Sequence, residues 1–315
     1  MKIQGNRLYI LDEMVVHVYS MTDFSYIRKF GGRGNGPGEF NTDYYPMTPV
    51  QIRFKDKEII LFRMFKMALF SKSGQVIEEK RIHFLTADIL PFHNNYLISK
   101  VRLANQYVPG KETIHRRFLN LYSKDLKELK NLHTIEYTTP DVDKVGYQIF
   151  RPAQIHTCHD GEKIYLYAER SMPKILVFDE KGNSLMPIVL DIPRKSISNS
   201  FKKKVEEWML KVPTLKGFKE INILYPEFLP AIRNLAVKNN KLLGQTYEKQ
   251  GMLTKFIIYD LALKTYTTVF LPTAEREQVS FTNNKIFSFT GTLYYYLVDN
   301  YEEETWELWS MEFNL

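Results

Sequence analysis

The sequence predicts an all-β chain in which a four-stranded antiparallel sheet is repeated six times, and three observations predict it. A polar turn followed by a short apolar strand recurs six times along the 315 residues. Each recurrence leads to a second apolar strand that closes on an aromatic residue, and from Tyr19 to Trp309 these fall 51, 52, 56, 81 and 50 residues apart. Composition suits strands packed sheet on sheet, since 44% of residues are apolar and there are 21 Phe and 20 Tyr.

The first signature is Gly5-Asn6 before RLYIL, Asp56-Lys57 before EIILF and Asn94-Asn95 before YLIS. It continues as Asp160-Gly161 before EKIYLY, Asn239-Asn240 before KLLGQT and Asn283-Asn284 before KIFSF. The second is VVHVY, ALF, FLNLY, ILVF, FIIY and WELW, closing at Tyr19, Phe70, Tyr122, Phe178, Tyr259 and Trp309. Four of these then carry a turn such as S-K-S-G or D-E-K-G before a further strand, as in Gln75 to Ile82 or Thr265 to Leu271. A third signature precedes the polar turn. Pro49-Val50-Gln51-Ile52 and Pro152-Ala153-Gln154-Ile155 are near copies, and Pro230-Ala231-Ile232 begins alike, with proline where a strand's first residue tolerates its missing donor. Each period is therefore four strands long. Sheets of four repeated at this period describe a six-bladed β-propeller, whereas a sandwich explains the strands but not the period. Length alone suggests about two domains, yet closed all-β folds of this size form one, so a single propeller over 1–315 is expected.

The spacing of 81 marks a helical insertion over 193–224, before the inner strand of the fifth blade. Phe201, Val205, Trp208, Met209 and Val212 form one apolar stripe, Ser198 or Ser200 is placed to cap the helix, and Pro213 to stop it. It packs on blade edges or serves as a lid. The first period has only Met1 to Gln4 before its polar turn, and the last stops at Leu315 without an outermost strand, so the final blade is expected to be short or to have had its outer strand lost upstream. Met1 lies close to strand-like sequence, and the chain as given opens on no signal peptide.

Between the strand-like runs Tyr26 to Phe30 and Tyr45 to Phe54 lies GGRGNGPGEF, Gly31 to Phe40, whose glycines and proline read as a compact turn. A phosphate-cradling loop needs a helix after it and an adjacent Lys-Ser/Thr pair, and neither is present. Gly34, Gly36, Pro37, Gly38, Glu39 and Phe40 within it, together with the repeated strand signatures, resemble bacterial six-bladed β-propeller proteins of the NHL and TolB-like type, an envelope family of Bacteroidetes. In that family a G-x-G-P-G-E-F segment leads from the outer strand of one blade to the inner strand of the next. The resemblance implies the fold and a cell-envelope location, periplasmic or surface and lipid-anchored before processing. It implies little about activity.

Chemistry is less legible. Cys158 is the one cysteine, so neither an intramolecular disulfide nor a cysteine zinc cluster forms. No run of about 18 apolar residues is present to span a membrane as a helix. The net charge of +7 is spread along the chain, and its most local excess, Lys202 to Lys204, reads as a solvated helix face. If inner strands run away from the ligand face, the rim is built from their starts, Tyr45, Arg151, Tyr225 and Glu227, and from the ends of second strands, Glu13, Arg63, Arg102, Arg170, Tyr247 and Glu248. Three arginines from consecutive blades suit an anionic ligand through paired hydrogen bonds, or serve interblade salt bridges with Glu13, Glu169 or Glu227. His156 and His159 are three apart, which puts them on opposite faces of a strand. Tyr294 to Tyr296, Tyr301 and Glu302 to Glu304 belong to a long hairpin whose tyrosines either stack on a partner or pack on a neighbouring blade. No local nucleophile motif appears. The expected function is a non-enzymatic binding or scaffolding propeller that needs no cofactor, its rim engaging an anionic small molecule, a glycan or a protein. The alternative is a hydrolase or lyase with a divalent metal at the channel mouth, and nucleic-acid binding ranks third.

Overall fold

The computed structural model describes residues 1–12, 14–41, 50–105, 113–139, 146–148, 155–168, 173–193, 195–211, 222–225, 227–273, 287–290, 292–300 and 305–313. Alternation of apolar and polar residues, cut by turns that need positive φ, makes this an all-β propeller with one helix among the described residues. Gly5, Asp56, His93, Gly161, Asn239 and Asn240 all take positive φ at or beside predicted polar turns.

The first sheet is a meander of β1 (Lys2–Gln4), β2 (Arg7–Asp12), β3 (Val15–Ser20) and β4 (Tyr26–Gly31). Two later meanders repeat it. One is β12 (Ile155–His159), β13 (Ile164–Ala168), β14 (Lys174–Phe178) and β15 (Ser184–Val189), and the other is β17 (Asn234–Lys238), β18 (Lys241–Gln250), β19 (Leu253–Asp260) and β20 (Thr265–Pro272). The final sheet has three strands among the described residues, β21 (Phe287–Thr290), β22 (Leu293–Asn300) and β23 (Thr305–Glu312).

The second and third predicted blades run together. β5 (Gln51–Lys55), β6 (Glu58–Ser71), β7 (Val76–Phe92), β8 (Asn95–Leu103), β9 (Thr113–Tyr122) and β10 (Glu128–Thr139) form one six-stranded sheet in the order β10-β9-β8-β7-β6-β5. Within β6, Ile59 and Leu61 share a core cluster with Ala68 and Phe70, while Ile60 and Phe62 share another with Met67 and Leu69. A single extended strand keeps one parity along each face. The parity changes across Met64, whose φ is +38°, so β6 acts as two short strands either side of a bend, corresponding to the EIILF and ALF strands of the sequence. β7 likewise continues from the strand that pairs with β6 into the one that pairs with β8.

Two compact units are present. One contains Met1–Val101, Leu119–Asn131 and Asn284–Leu315, the other Arg102–Phe118 and Leu132–Asn283. In the first, Tyr9, Val16 and Val18 pack on Ile52, Ile59 and Phe70. There Met1 and Leu8 also pack with Leu297, and Ile3, Tyr19, Tyr295 and Leu308 join them, so the first and last sheets are neighbours. In the second unit Tyr165, Tyr167 and Val177 pack on Ile232, Leu235 and Leu242.

The insertion contains α1 (Asn199–Lys211). Ser198 is its cap: the Phe201 N–H donates to Ser198 Oγ at 3.2 Å. Val205 is fully buried while Lys203 and Lys204 are exposed, as the predicted stripe and solvated face require. Tyr225 donates from its hydroxyl to the Lys202 carbonyl at 3.1 Å, and the Lys202 ammonium lies 5.4 Å from its ring. Trp208, Met209, Val212 and Pro213 fall outside the described side chains. A short parallel pair, β11 (Gly146–Gln148) with β16 (Asn222–Leu224), lies outside the meanders. The inner strand after the insertion begins at Asn234, so Tyr225 and Glu227 precede it instead of opening it.

Candidate functional site

The glycine segment is built as a self-contained turn. Phe40 N–H donates to the Gly32 carbonyl at 2.9 Å, and Gly36 N–H donates to Glu39 Oε2 at 2.9 Å. Gly34 has φ +153°, and a Cβ there would fall 2.2 Å from Glu39 Oε2, so the carboxylate occupies the space that a side chain would need. Gly38 has φ +74° and lies against the Phe70 ring. Its N–H donates to Glu79 Oε1 at 2.5 Å, and Lys66 Nζ pairs with that same oxygen at 2.7 Å. Partial burial works against ionisation of Glu79, but the hydrogen bonds from Lys66 and Gly38 and the lysine charge outweigh it and hold the carboxyl below its ordinary value. The segment's polar groups are directed at its own scaffold.

Arg63 belongs to the same scaffold. Buried at 7% exposure, it lies just before the bend in β6 and donates from Nη1 to the Asn41 carbonyl. Arg102 is exposed near the end of β8. Tyr247 is inside β18 with the Arg233 guanidinium 5.6 Å from its ring centre, and the neighbouring Glu248 pairs with Lys255 Nζ at 3.1 Å. Glu227 is exposed, and its carbonyl accepts from the Ile197 N–H at 3.3 Å. Tyr45, Arg151 and Arg170, and with them Glu13 and Glu169, lie outside the described residues. His156 is buried and stacks with Tyr167 at 6.3 Å, opposite it in register on β13. Among the described residues no three His, Cys, Asp or Glu side chains converge as a metal site would require.

A concave site exists elsewhere. Between the first and last sheets, inside one compact unit, is a cleft of about 580 Å³. Leu8, Ile10 and Asp12 line it from alternate positions of β2, and His17 and Tyr19 from the facing positions of β3. Leu297 of β22 and Thr305, Trp306 and Leu308 of β23 form the other wall. Phe24 in the β3–β4 turn also lines it, at 55% exposure, and Trp306 is 47% exposed. Tyr26 extends this aromatic edge, its ring 5.6 Å from Tyr19. Apolar walls with a few polar groups and exposed aromatic lips are the usual make-up of a binding cleft. Sequence reasoning missed it because its two walls are about 290 residues apart, though the alternation L-Y-I-L-D and the pair of tryptophans were visible.

The tyrosine hairpin divides by parity. Tyr294 is fully buried, packs with Phe287 and Phe289, and stacks on Tyr296 at 5.7 Å. Tyr296 stacks in turn on Trp309 at 6.5 Å, on the face away from the cleft. Tyr301 and Glu302 to Glu304 lie outside the described residues.

The DUF5128 family model, described as a 6-bladed beta-propeller, matches residues 1–140. With the sheets described above, it defines the class as a β-propeller. Among solved structures the chain is similar to BamB from Moraxella catarrhalis, at 8% identity and a TM-score of 0.38, over 86% of this chain and 63% of that one. The chain thus spans less than two thirds of BamB. A protein of unknown function from Bacteroides caccae is 9% identical with a TM-score of 0.41, over 93% and 82% of the two chains. The β-propeller domain of the Trilobed protease from Pyrococcus furiosus is 11% identical with a TM-score of 0.43, over 98% and 92%. No curated protein matches the chain by sequence.

Proposed function

We propose that this protein is a binding or scaffolding propeller of the bacterial cell envelope, without catalysis of its own, which engages its partner at the cleft between the first and last sheets. The observation that carries this reading is the cleft itself: about 580 Å³, apolar on both walls, with half-exposed Phe24 and Trp306 at its lips. Exposed aromatics beside an apolar floor bury large area at low entropic cost when a partner docks. The envelope location rests on the G-x-G-P-G-E-F resemblance. The six-stranded sheet counts in this reading as two blades run together, which makes six with the three four-stranded sheets and the last one. Of the two rim arginines among the described residues, Arg102 is exposed to an anionic ligand, while Arg63 is engaged with the Asn41 carbonyl.

The test is binding of the amphiphilic fluorophore anilinonaphthalene sulfonate, through its apolar rings, to the native protein. Saturable binding that is lost in Ile10→Trp, which fills the cleft, supports the reading. Binding that is absent, or indifferent to Ile10→Trp, refutes it.

A further inference from the structure

β23 occupies an unusual place among the strands. In the first sheet and the two later meanders the third strand, β3, β14 or β19, has a fourth strand hydrogen-bonded along its outer side. β21 takes the inner position of the last sheet, since β1 lies against it as β12 lies against β17. β22 is then the second strand and β23 the third, and among the described residues β23 ends the sheet. Burial agrees. Val16 and Val18 of β3, Ile175 and Val177 of β14, and Phe256 and Ile257 of β19 are all buried, whereas no residue of β23 is. Its two tryptophans are on opposite faces, Trp306 towards the cleft at 47% exposure and Trp309 away from it at 51%, with Met311 beside Trp309. An exposed, apolar sheet edge is a template for another strand.

The charge of this region identifies what fits. The chain carries +7 overall, yet its last thirty residues contain Asp299, Glu302, Glu303, Glu304, Glu307 and Glu312 and not one Lys, Arg or His. Glu307 and Glu312 are on β23 itself, and Glu307 Oε2 accepts from Trp309 Nε1 at 2.9 Å. An acidic edge with half-exposed indole faces attracts cations through charge and through the ring faces together.

We propose that β23 takes up an extended segment of a partner protein as the fourth strand of the last sheet, and that this segment alternates basic with apolar residues. Main-chain hydrogen bonds to the edge hold it, its apolar side chains cover the cleft beside Trp306 and Leu308, and its cations reach Glu307 and Trp309 on the other face. This rests on the proposed function and adds the partner's chemistry to it.

The experiment uses the full chain and three synthetic eight-residue peptides, the length of β23. One alternates Lys and Val, one groups the same residues in two blocks, and one alternates Glu and Val. Binding is read from tryptophan emission and from amide exchange along 305–312. The alternating Lys/Val peptide is expected to bind saturably, to slow exchange in β23, and to weaken with salt. In Glu307→Lys its affinity falls about tenfold, roughly 1.4 kcal/mol, with the melting temperature of the free protein as the check on folding. Trp306→Ala, at a half-exposed position, weakens it as well. Equal binding of the Glu/Val or block peptide, or equal binding by the charge-reversed variant, overturns the proposal. So does self-association of the free chain that the charge reversal abolishes, because the edge then belongs to a second copy. If the fluorophore enters the cleft and no peptide binds, this proposal fails while the binding function stands; if neither binds, both fail.

Discussion

Replacing Gly38 by alanine tests the reading of the glycine segment as a fitted structural lock. Gly38 has φ +74°, a conformation that costs an L-residue about 1–2 kcal/mol relative to glycine. A Cβ there would fall 2.7 Å from Phe70 Cζ, 2.8 Å from Phe70 Cε1 and 2.8 Å from Val76 Cγ2. Phe70 is 1% exposed and packed against Phe30 at 4.9 Å, so it has nowhere to retreat, and overpacking of this kind costs about 1–3 kcal/mol. The loop must instead shift outward and stretch the Gly38–Glu79 hydrogen bond. Together these give a destabilisation of about 2–5 kcal/mol. Gly5→Ala is the control, because Gly5 also has positive φ, +56°, but nothing lies within 4 Å of its Cβ position. It is expected to show only the conformational cost of about 1–2 kcal/mol. The assay is urea denaturation of both variants, with unchanged slope showing that the native and unfolded states remain comparable. If the two variants differ by less than about 0.5 kcal/mol, the size of an ordinary surface substitution, the packing argument is wrong.

Three further predictions follow from the same geometry. Arg63→Ala is expected to lower stability by about 1–3 kcal/mol, because the Asn41 carbonyl loses a buried donor; an unchanged denaturation midpoint would return Arg63 to the list of accessible rim residues. Glu79 is held below its ordinary value of 4.5, so its contribution to stability is complete above that pH and is lost as the pH falls through and below it. Glu79→Gln should flatten the stability profile on the acid side, and parallel profiles for variant and parent would refute this. Ser198→Ala removes the acceptor for the Phe201 N–H and should destabilise α1 by about 1 kcal/mol, seen as faster amide exchange over 199–211 with the sheets unaffected.

Much of the fold was legible because strand and turn chemistry are local. The Gly5-Asn6 and Asn239-Asn240 turns, the apolar runs after them, and the Ser198 cap each depend on residues close together in sequence. The last hairpin shows the limit of that reasoning. Asn283-Asn284 lies outside the described residues, and the described hairpin turns at Thr292, which makes β21, Phe287–Thr290, the inner strand instead of the second. The bend at Met64 and the continuity of β7 across two predicted blades were equally hidden, since no glycine or proline marks either point. The site was less legible than the fold. Arginine spacing suggested a rim, but whether a guanidinium faces solvent or a carbonyl depends on packing, and for Arg63 packing chose the Asn41 carbonyl.

By itself the sequence determined an all-β propeller and the place of its helix, because hydrophobic alternation and turn residues act over a few positions and repeat. Only the tertiary structure decided which sheets run together, and that Leu8 and Ile10 near one end of the chain face Trp306 and Leu308 near the other. Contacts across some 290 residues leave no local pattern, since each wall alone has the alternation of any strand with one buried face.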